Sequence, residues 1–240
     1  MAKQVYECNW VPSRVTEAEL DDLVLIGALG SKDTIHWRAP GKECPPSPRE
    51  GEVVVFVDHL ARGFKPPGSK FYRDVLADFQ LHPQDTGRNS VTNLCHFQVL
   101  CEAFFQEEPT VELFRDLFHL NRRTEFTDGS NTELGGVAIQ KRKEVTYPHA
   151  KLHSHPKEWN QTWFYCKDTS PAGENPFPGF RPERLSNTHP SPQRLTAQER
   201  SKYAPQLSKL RAFMANGLTG VDLARCWISW SILPLSLRSV

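Results

Sequence analysis

Between Glu52 and Leu120 four apolar segments follow one another, each bounded by start and stop signals, and a chain that carries them must build a helical core. Ser90 to Gln106 dominates this stretch. Ser90 suits a helix N-cap, and Val91, Leu94, Cys95, Gln98, Val99, Glu102 and Phe105 fall along one helical stripe. Phe97, Leu100, Cys101 and Phe104 cover most of the remaining surface, the pattern of a helix enclosed by its neighbours. Glu102 is the exception, because a carboxylate amid Cys101, Phe104 and Phe105 needs a partner or a proton; we expect a paired structural carboxylate. Pro109 and Thr110 restart the chain with Leu113, Phe114, Leu117 and Phe118 on one helical face and Glu112 near the helix N-terminus. Upstream, Ser69 caps a segment in which Phe71, Val75, Leu76 and Phe79 recur at helical spacing. The β-branched run from Val53 to Val57 fits either a buried strand or the opening of a helix ending near Gly63.

The flanks are less regular. Thr16 and Glu19 form a capping box, with Val15 stapling onto Leu20, and Gly27 and Gly30 end that helix. Residues 39–51 hold several prolines, which interrupt both ladders and helices, and are expected to be an exposed linker. Gly135 to Arg142 alternates and Thr162 to Cys166 is rich in aromatics, so a small sheet is expected in which these two pair. Residues 167–194 carry six prolines and read as an extended surface excursion. Thr196 and Glu199 repeat the capping box, with Leu195 as staple, opening a helix to about Asn216 that is kinked or interrupted at Pro205. Gly217 suits a left-handed helix end, and a last helix runs from Thr219 to Trp230.

These features give an α+β, predominantly helical chain: a compact helical core with a small antiparallel sheet and long Pro-rich loops. The expected organisation is an N-terminal helical element (1–38), a Pro-rich linker (39–51) and one domain over 52–240. That domain divides into a helical core (52–123), a small sheet (135–168), a Pro-rich loop (169–194) and a C-terminal helical pair (195–232).

Several runs also resemble a known family. They are Glu52 to Ser69 around Gly63, Leu100-Cys101-Glu102-Ala103-Phe104, Glu108-Pro109 with Leu113-Phe114, Gly135 to Gln140, Trp163-Phe164-Tyr165-Cys166-Lys167-Asp168, Ala215 to Trp227 including Asp222, and Trp10 to Ser13. Together they resemble the gypsy-type transposon domain of plant, chiefly grass, long-terminal-repeat retrotransposons. The resemblance spans nearly the whole chain. It implies a retroelement-encoded or retroelement-derived reading frame and brings no established catalytic residue with it. The chain stops just beyond an apolar segment, as a short derivative of a longer element polyprotein would.

Composition narrows the function classes. A net charge of +1 argues against broad electrostatic capture of nucleic acid. The charge is uneven, however: residues 194–240 hold seven Lys or Arg against two acids, while the first 60 lean acidic. No secretory core or membrane-length apolar run is present, so an intracellular protein, in nucleus or cytoplasm, is expected. The six cysteines lack metal spacing and read as reduced thiols. No cofactor and no small-molecule substrate is indicated.

Asp85-Thr86-Gly87 copies the triplet of retroviral-type proteases, but its flanks are not the apolar strands such a loop needs, and a turn before a helix is expected. Asp58, Glu102 and Asp222 are the acids with the most apolar flanks, and nothing in the sequence assembles them on metal ions. His149, His153 and His155 form a histidine cluster without an evident fourth ligand, and read as surface histidines. Arg200, Lys202, Lys209, Arg211 and Arg225 make the C-terminal helical pair basic, a candidate nucleic-acid surface; Asn121-Arg122-Arg123 is a further candidate for phosphate contacts, though two arginines after a helix are more often a solvated C-terminus complementing its dipole. Trp227, Ile228, Trp230 and Ile232 suit a core or a protein partner better than a groove. The expectation is therefore a non-enzymatic protein of Gag-like assembly or protein-interaction type, self-associating or binding a protein. Nucleic-acid binding is the alternative, and a transposase- or nuclease-like enzyme ranks below it.

Overall fold

A computed structural model describes residues 6–7, 10–122, 137–150, 158–185 and 189–232. Its elements run β1 (Tyr6–Glu7), α1 (Glu17–Leu25), α2 (Lys32–Ile35), β2 (Glu52–Phe56), α3 (Val57–Leu60), α4 (Lys70–Asp78), α5 (Arg88–Val99), α6 (Val111–Leu117), β3 (Phe118–Arg122), β4 (Val137–Lys141), β5 (Trp163–Lys167), β6 (Glu183–Arg184), α7 (Ala197–Ser201), α8 (Ala204–Ala215) and α9 (Gly220–Trp227). The fold is α+β and predominantly helical. Among the described residues the strands form three two-stranded antiparallel ladders, β1–β6, β2–β5 and β3–β4.

The helix starts follow their capping chemistry. Thr16 and Glu19 form the expected box on α1, Ser69 accepts from the Tyr72 amide on α4, and Thr196 with Glu199 opens α7. A third box, Thr219 with Asp222, opens α9. The helix expected to be kinked or interrupted at Pro205 is interrupted there, with the proline in the first turn of α8, where its missing N–H costs nothing. Gly217 closes α8 at φ 91°.

Helix α5 starts two residues before the expected serine. Gly87 is its N-cap, and Ser90 lies inside it, buried against β4. The Ser90 hydroxyl accepts from the Ile139 amide at 2.8 Å, Asn93 Nδ2 donates to the Ile139 carbonyl at 2.8 Å, and the Gly87 amide donates to the Val137 carbonyl at 3.0 Å. A two-stranded ladder leaves an unpaired edge, and here polar residues on the buried side of α5 satisfy it. Beyond Val99 the helix widens into a π-helical segment, Leu100–Phe105, which ends at Gln106 with φ 58°.

The ambiguous run 53–57 resolves into β2 followed by the short helix α3. Its register with β5 explains the ambiguity: Val53 and Val55 join Phe164 and Cys166 in the main core, while Val54 and Phe56 join Trp163, Tyr165 and Trp159 in a second cluster. A strand buried on both faces shows no alternation. The expected pairing of 135–142 with 162–166 does not occur. The segment 118–122, expected to continue the helical core, leaves the helix as β3 and takes β4 as its partner, and β5 pairs with β2. Phe118 stacks on Phe114, four residues earlier, at 4.5 Å and meets Tyr147 at 5.0 Å; a neighbour four residues back is also what a continuing helix gives, so helical spacing did not distinguish the two.

The Pro-rich segments are fastened to the body. Residues 39–51, expected as an exposed linker, are mostly exposed, yet Pro40 and Pro46 are buried and the segment is tied down at Glu43 and Ser47. Leu20, Leu29 and Trp37, from the expected N-terminal element, share one core with Phe97 and Phe114. The excursion after β5 is likewise anchored. Phe177 packs against Phe64 and Tyr72, Arg181 meets Asp85, and the His189 ring nitrogen lies 2.7 Å from the Phe79 carbonyl. Proline deprives these loops of backbone donors, and the side chains between the prolines supply the contacts instead.

Candidate functional site

Residues of the family-like motifs meet at the junction of α5 and α9. Gly63 follows α3 with φ 102°, and a Cβ there would lie 2.6 Å from Trp227 Nε1 and 3.1 Å from Cys95 Sγ. Only glycine satisfies both the backbone angle and the close approach. Gly63→Ala is expected to cost about 2 kcal/mol, the strain of a non-glycine residue in this region plus a steric clash. Adding Trp227→Phe, which shrinks the opposing ring, should recover part of that loss in a urea melt.

The remaining motif residues hold structure. Trp163 is fully buried and donates from Nε1 to the Val11 carbonyl at 3.0 Å, while Ser13 donates to the Trp163 carbonyl at 2.5 Å. Tyr165 is also fully buried; its hydroxyl donates to Glu43 at 2.5 Å and accepts from the Ser47 amide at 2.8 Å. The Arg38 guanidinium lies 3.8 Å over the Tyr165 ring and bonds both oxygens of Glu52 at 2.8 Å and Glu43 at 2.9 Å. The bond to Glu52 raises the Arg38 pKa further. Burial pushes the Glu43 and Glu52 carboxyls up, but their bonds, chiefly to Tyr165 and Arg38 for Glu43 and to Arg38 for Glu52, leave both below the ordinary value. Their contribution to stability is therefore present above the ordinary carboxylate range and lost as pH falls below it. Open grooves of about 720 Å³ and about 780 Å³ flank the segment these residues hold. Cys101 is buried, Pro109 is half-buried beyond the π-helical segment, and exposed Gln140 accepts from Asn121 at 2.9 Å across β3–β4.

Glu102 corrects its expectation. It is exposed, not enclosed, and accepts from Gln98 Nε2 at 2.8 Å. The widened helical turn at Leu100–Phe105 breaks the stripe that would have put it inside. Asp58 faces Arg88 at 3.1 Å and Asp222 caps α9, each engaged locally. Asp85 is buried in the turn before α5, and both its oxygens lie 2.7 Å from Arg181 Nη2, so the protease-like triplet serves as a structural anchor here. Among the described residues no three His, Cys, Asp or Glu side chains gather to hold a metal ion; His153 and His155 lie outside them. Arg123 also lies outside them.

The basic C-terminal residues divide. Arg200 Nε lies 2.9 Å from Asp116, whose other oxygen meets Arg194 Nε at 3.0 Å. Lys209 pairs with Glu107 at 2.6 Å and donates to the Phe105 carbonyl at 3.2 Å, a cation at a helix C-terminus. Lys202, Arg211 and Arg225 are exposed, and Arg225 lies 3.8 Å from Asp222. Helix α9 packs against α5 through fully buried Leu223, and a Cβ on Gly220 would meet the backbone of His149 and Ala150. Large apolar side chains are exposed on α9 and on the π-helical turn that follows, Ile228–Ile232: Val221, Ile228 and Trp230 are 50%, 47% and 56% exposed. The other large exposed apolar residues among those described are Leu25 and Ile26 at the end of α1, at 79% and 64%. Sequence reading missed this second patch, although Asp21-Asp22 beside an apolar run ending in Leu25-Ile26 was its signal.

Residues 53–122 match the family described as "Putative gypsy type transposon". The match covers less than a third of the chain. No curated protein and no solved structure matches the chain significantly. The matched segment is packed against every described motif outside it. Trp10 stacks on Phe56, Val137–Lys141 pairs with β3, Trp163–Lys167 pairs with β2, and Trp227 closes on Gly63. Residues that the family match leaves out thus bury the faces of those it includes. No helix among the described residues is long and apolar enough to cross a membrane.

Proposed function

We propose that this gypsy-type transposon-related chain is a non-catalytic, retrotransposon-derived protein of Gag-like assembly or protein-interaction type. The observation that carries this reading is the distribution of exposed apolar side chains. Among the described residues they concentrate on the outer face of α9 and its continuation, and at the end of α1. Monomeric proteins seldom leave large apolar side chains clustered on a helix face unless something covers them. The acids and thiols that chemistry would need support the same reading: Asp58, Asp85 and Asp116 are ion-paired, and burial pushes the Cys95, Cys101 and Cys166 thiols well up from the ordinary value.

Nucleic-acid binding through the C-terminal pair is the competing class, and the engagement of Arg200 and Lys209 within the fold weakens it. Light scattering on a size-exclusion column at several concentrations tests the proposal. A mass that rises with concentration, or a stable complex with an element-encoded protein, is expected. A strict monomer that binds no such protein, but binds DNA or RNA in a salt-sensitive way lost in the Arg200, Lys202, Lys209 and Arg211→Ala variant, would replace it.

A further inference from the structure

We propose that the acidic, apolar end of α1 docks on the outer face of α9 of a second copy of this chain, a head-to-tail contact. The inference rests on the assembly reading and gives it a surface. Val221, Arg225 and the C-cap residue Ile228 follow one another at helical spacing, so one face of α9 presents two apolar side chains with a cation between them. The Arg225 side chain is 76% exposed.

The end of α1 offers the complement. Exposed Asp21 and Asp22 stand one turn before Leu25 and Ile26, which are the most exposed large apolar residues described. The last turn of α1 carries no basic residue. Two carboxylates near the negative end of a helix dipole are unfavourably placed, and an arginine brought to them offsets both the dipole and their mutual repulsion. Glu17 and Glu19 of the same helix are already engaged, with Lys32 and with the Thr16 cap. Arg225, whose only local carboxylate among the described residues, Asp222, lies at a long 3.8 Å and is already committed to the Thr219 cap, thus has its counterpart where the other apolar pair lies. Because the two faces differ, one copy in such a contact keeps its α9 face unused and the other its α1 face, and the assembly extends or closes into a ring.

A mixing experiment by sedimentation velocity tests this. The Leu25→Ser/Ile26→Ser variant loses the α1 face and keeps α9, and Val221→Ser/Ile228→Ser does the reverse. All four positions are solvent-exposed, and circular dichroism confirms that each variant is folded. The wild-type chain is expected to gain mass with concentration, each variant alone to stay monomeric, and an equimolar mixture to reach about twofold the monomer mass and grow no further. Combining Asp21→Lys and Asp22→Lys with Arg225→Glu should restore the growth that either change alone abolishes. Variants that associate like wild type would overturn the proposal while leaving the assembly reading intact. A mixture that stays monomeric would overturn the head-to-tail arrangement. A wild-type chain that is monomeric throughout, or associates only when duplex DNA is added, would overturn the second copy as occupant.

Discussion

Acidification from about pH 7 to about pH 5 is expected to cost about 2 kcal/mol of folding stability for each of two buried histidines. His59 lies between β2 and α5, its ring 5.1 Å from Phe56 and 6.0 Å from Trp159, with Nε2 3.2 Å from the Thr86 carbonyl. Burial lowers its pKa to about 4; the Thr86 carbonyl opposes that shift, and the nearby Arg88 charge adds to it. His96 on α5 is also lowered to about 4, by burial first and by the neighbouring His149 second. In the unfolded chain both take up a proton near 6.5, so below that pH the unfolded state binds more protons and stability falls, levelling off near pH 4. Glu43 and Glu52 stay ionised across this window and contribute only below it. Urea melts at closely spaced pH values should give a steep slope between pH 5 and 6.5, flattened by His59→Gln or His96→Gln. An equal slope in wild type and both variants would refute the assignment.

Removing Arg194 and Arg200 together is expected to destabilise the protein by about 3–5 kcal/mol, because it leaves the fully buried Asp116 carboxylate without either of its paired cations. Asp116 lies in the last turn of α6, where the helix dipole also disfavours an anion. Either single change should cost much less, since the other arginine remains. Asp116→Asn should also cost less, because the arginines, 31% and 41% exposed, keep access to water. The double variant's excess over the sum of the single variants, measured by chemical denaturation, is the coupling through the shared carboxylate. If Arg200→Ala leaves stability untouched yet abolishes nucleic-acid binding, Arg200 belongs to a binding surface after all.

The legible parts of the fold were those set by local chemistry. Thr16, Ser69 and Thr196 announce their helices because the cap and its partner lie within four residues, and the apolar spacing of α4 and α5 marks faces that are in fact buried. What was not legible depends on residues far apart in the chain. The partner of β5 is 111 residues away at the Val54–Tyr165 pair, and nothing in Trp163–Cys166 distinguishes β2 from β4 as its mate. Ser90 looks like a cap because the strand edge that claims its hydroxyl lies beyond position 136. The prolines of 39–51 and 169–194 mark absent backbone bonds, but Arg38, Phe177 and Arg181, which hold those segments down, have no local signature. At the candidate surface, Val221, Ile228 and Trp230 were legible as apolar helix positions. That Val221 and Ile228 face outward follows only from Leu223 and Gly220 taking the inward side, and Trp230 is exposed in the π-helical turn beyond them.

Hydrogen exchange followed by mass spectrometry, on the same chain at low and high concentration, tests the assembly account most directly. The account predicts that amides at the end of α1 and across α9 gain protection as concentration rises, while the buried turn and helix start around Asp85 and Ser90 exchange at an unchanged rate. Protection independent of concentration, or gained only when nucleic acid is present, would contradict it.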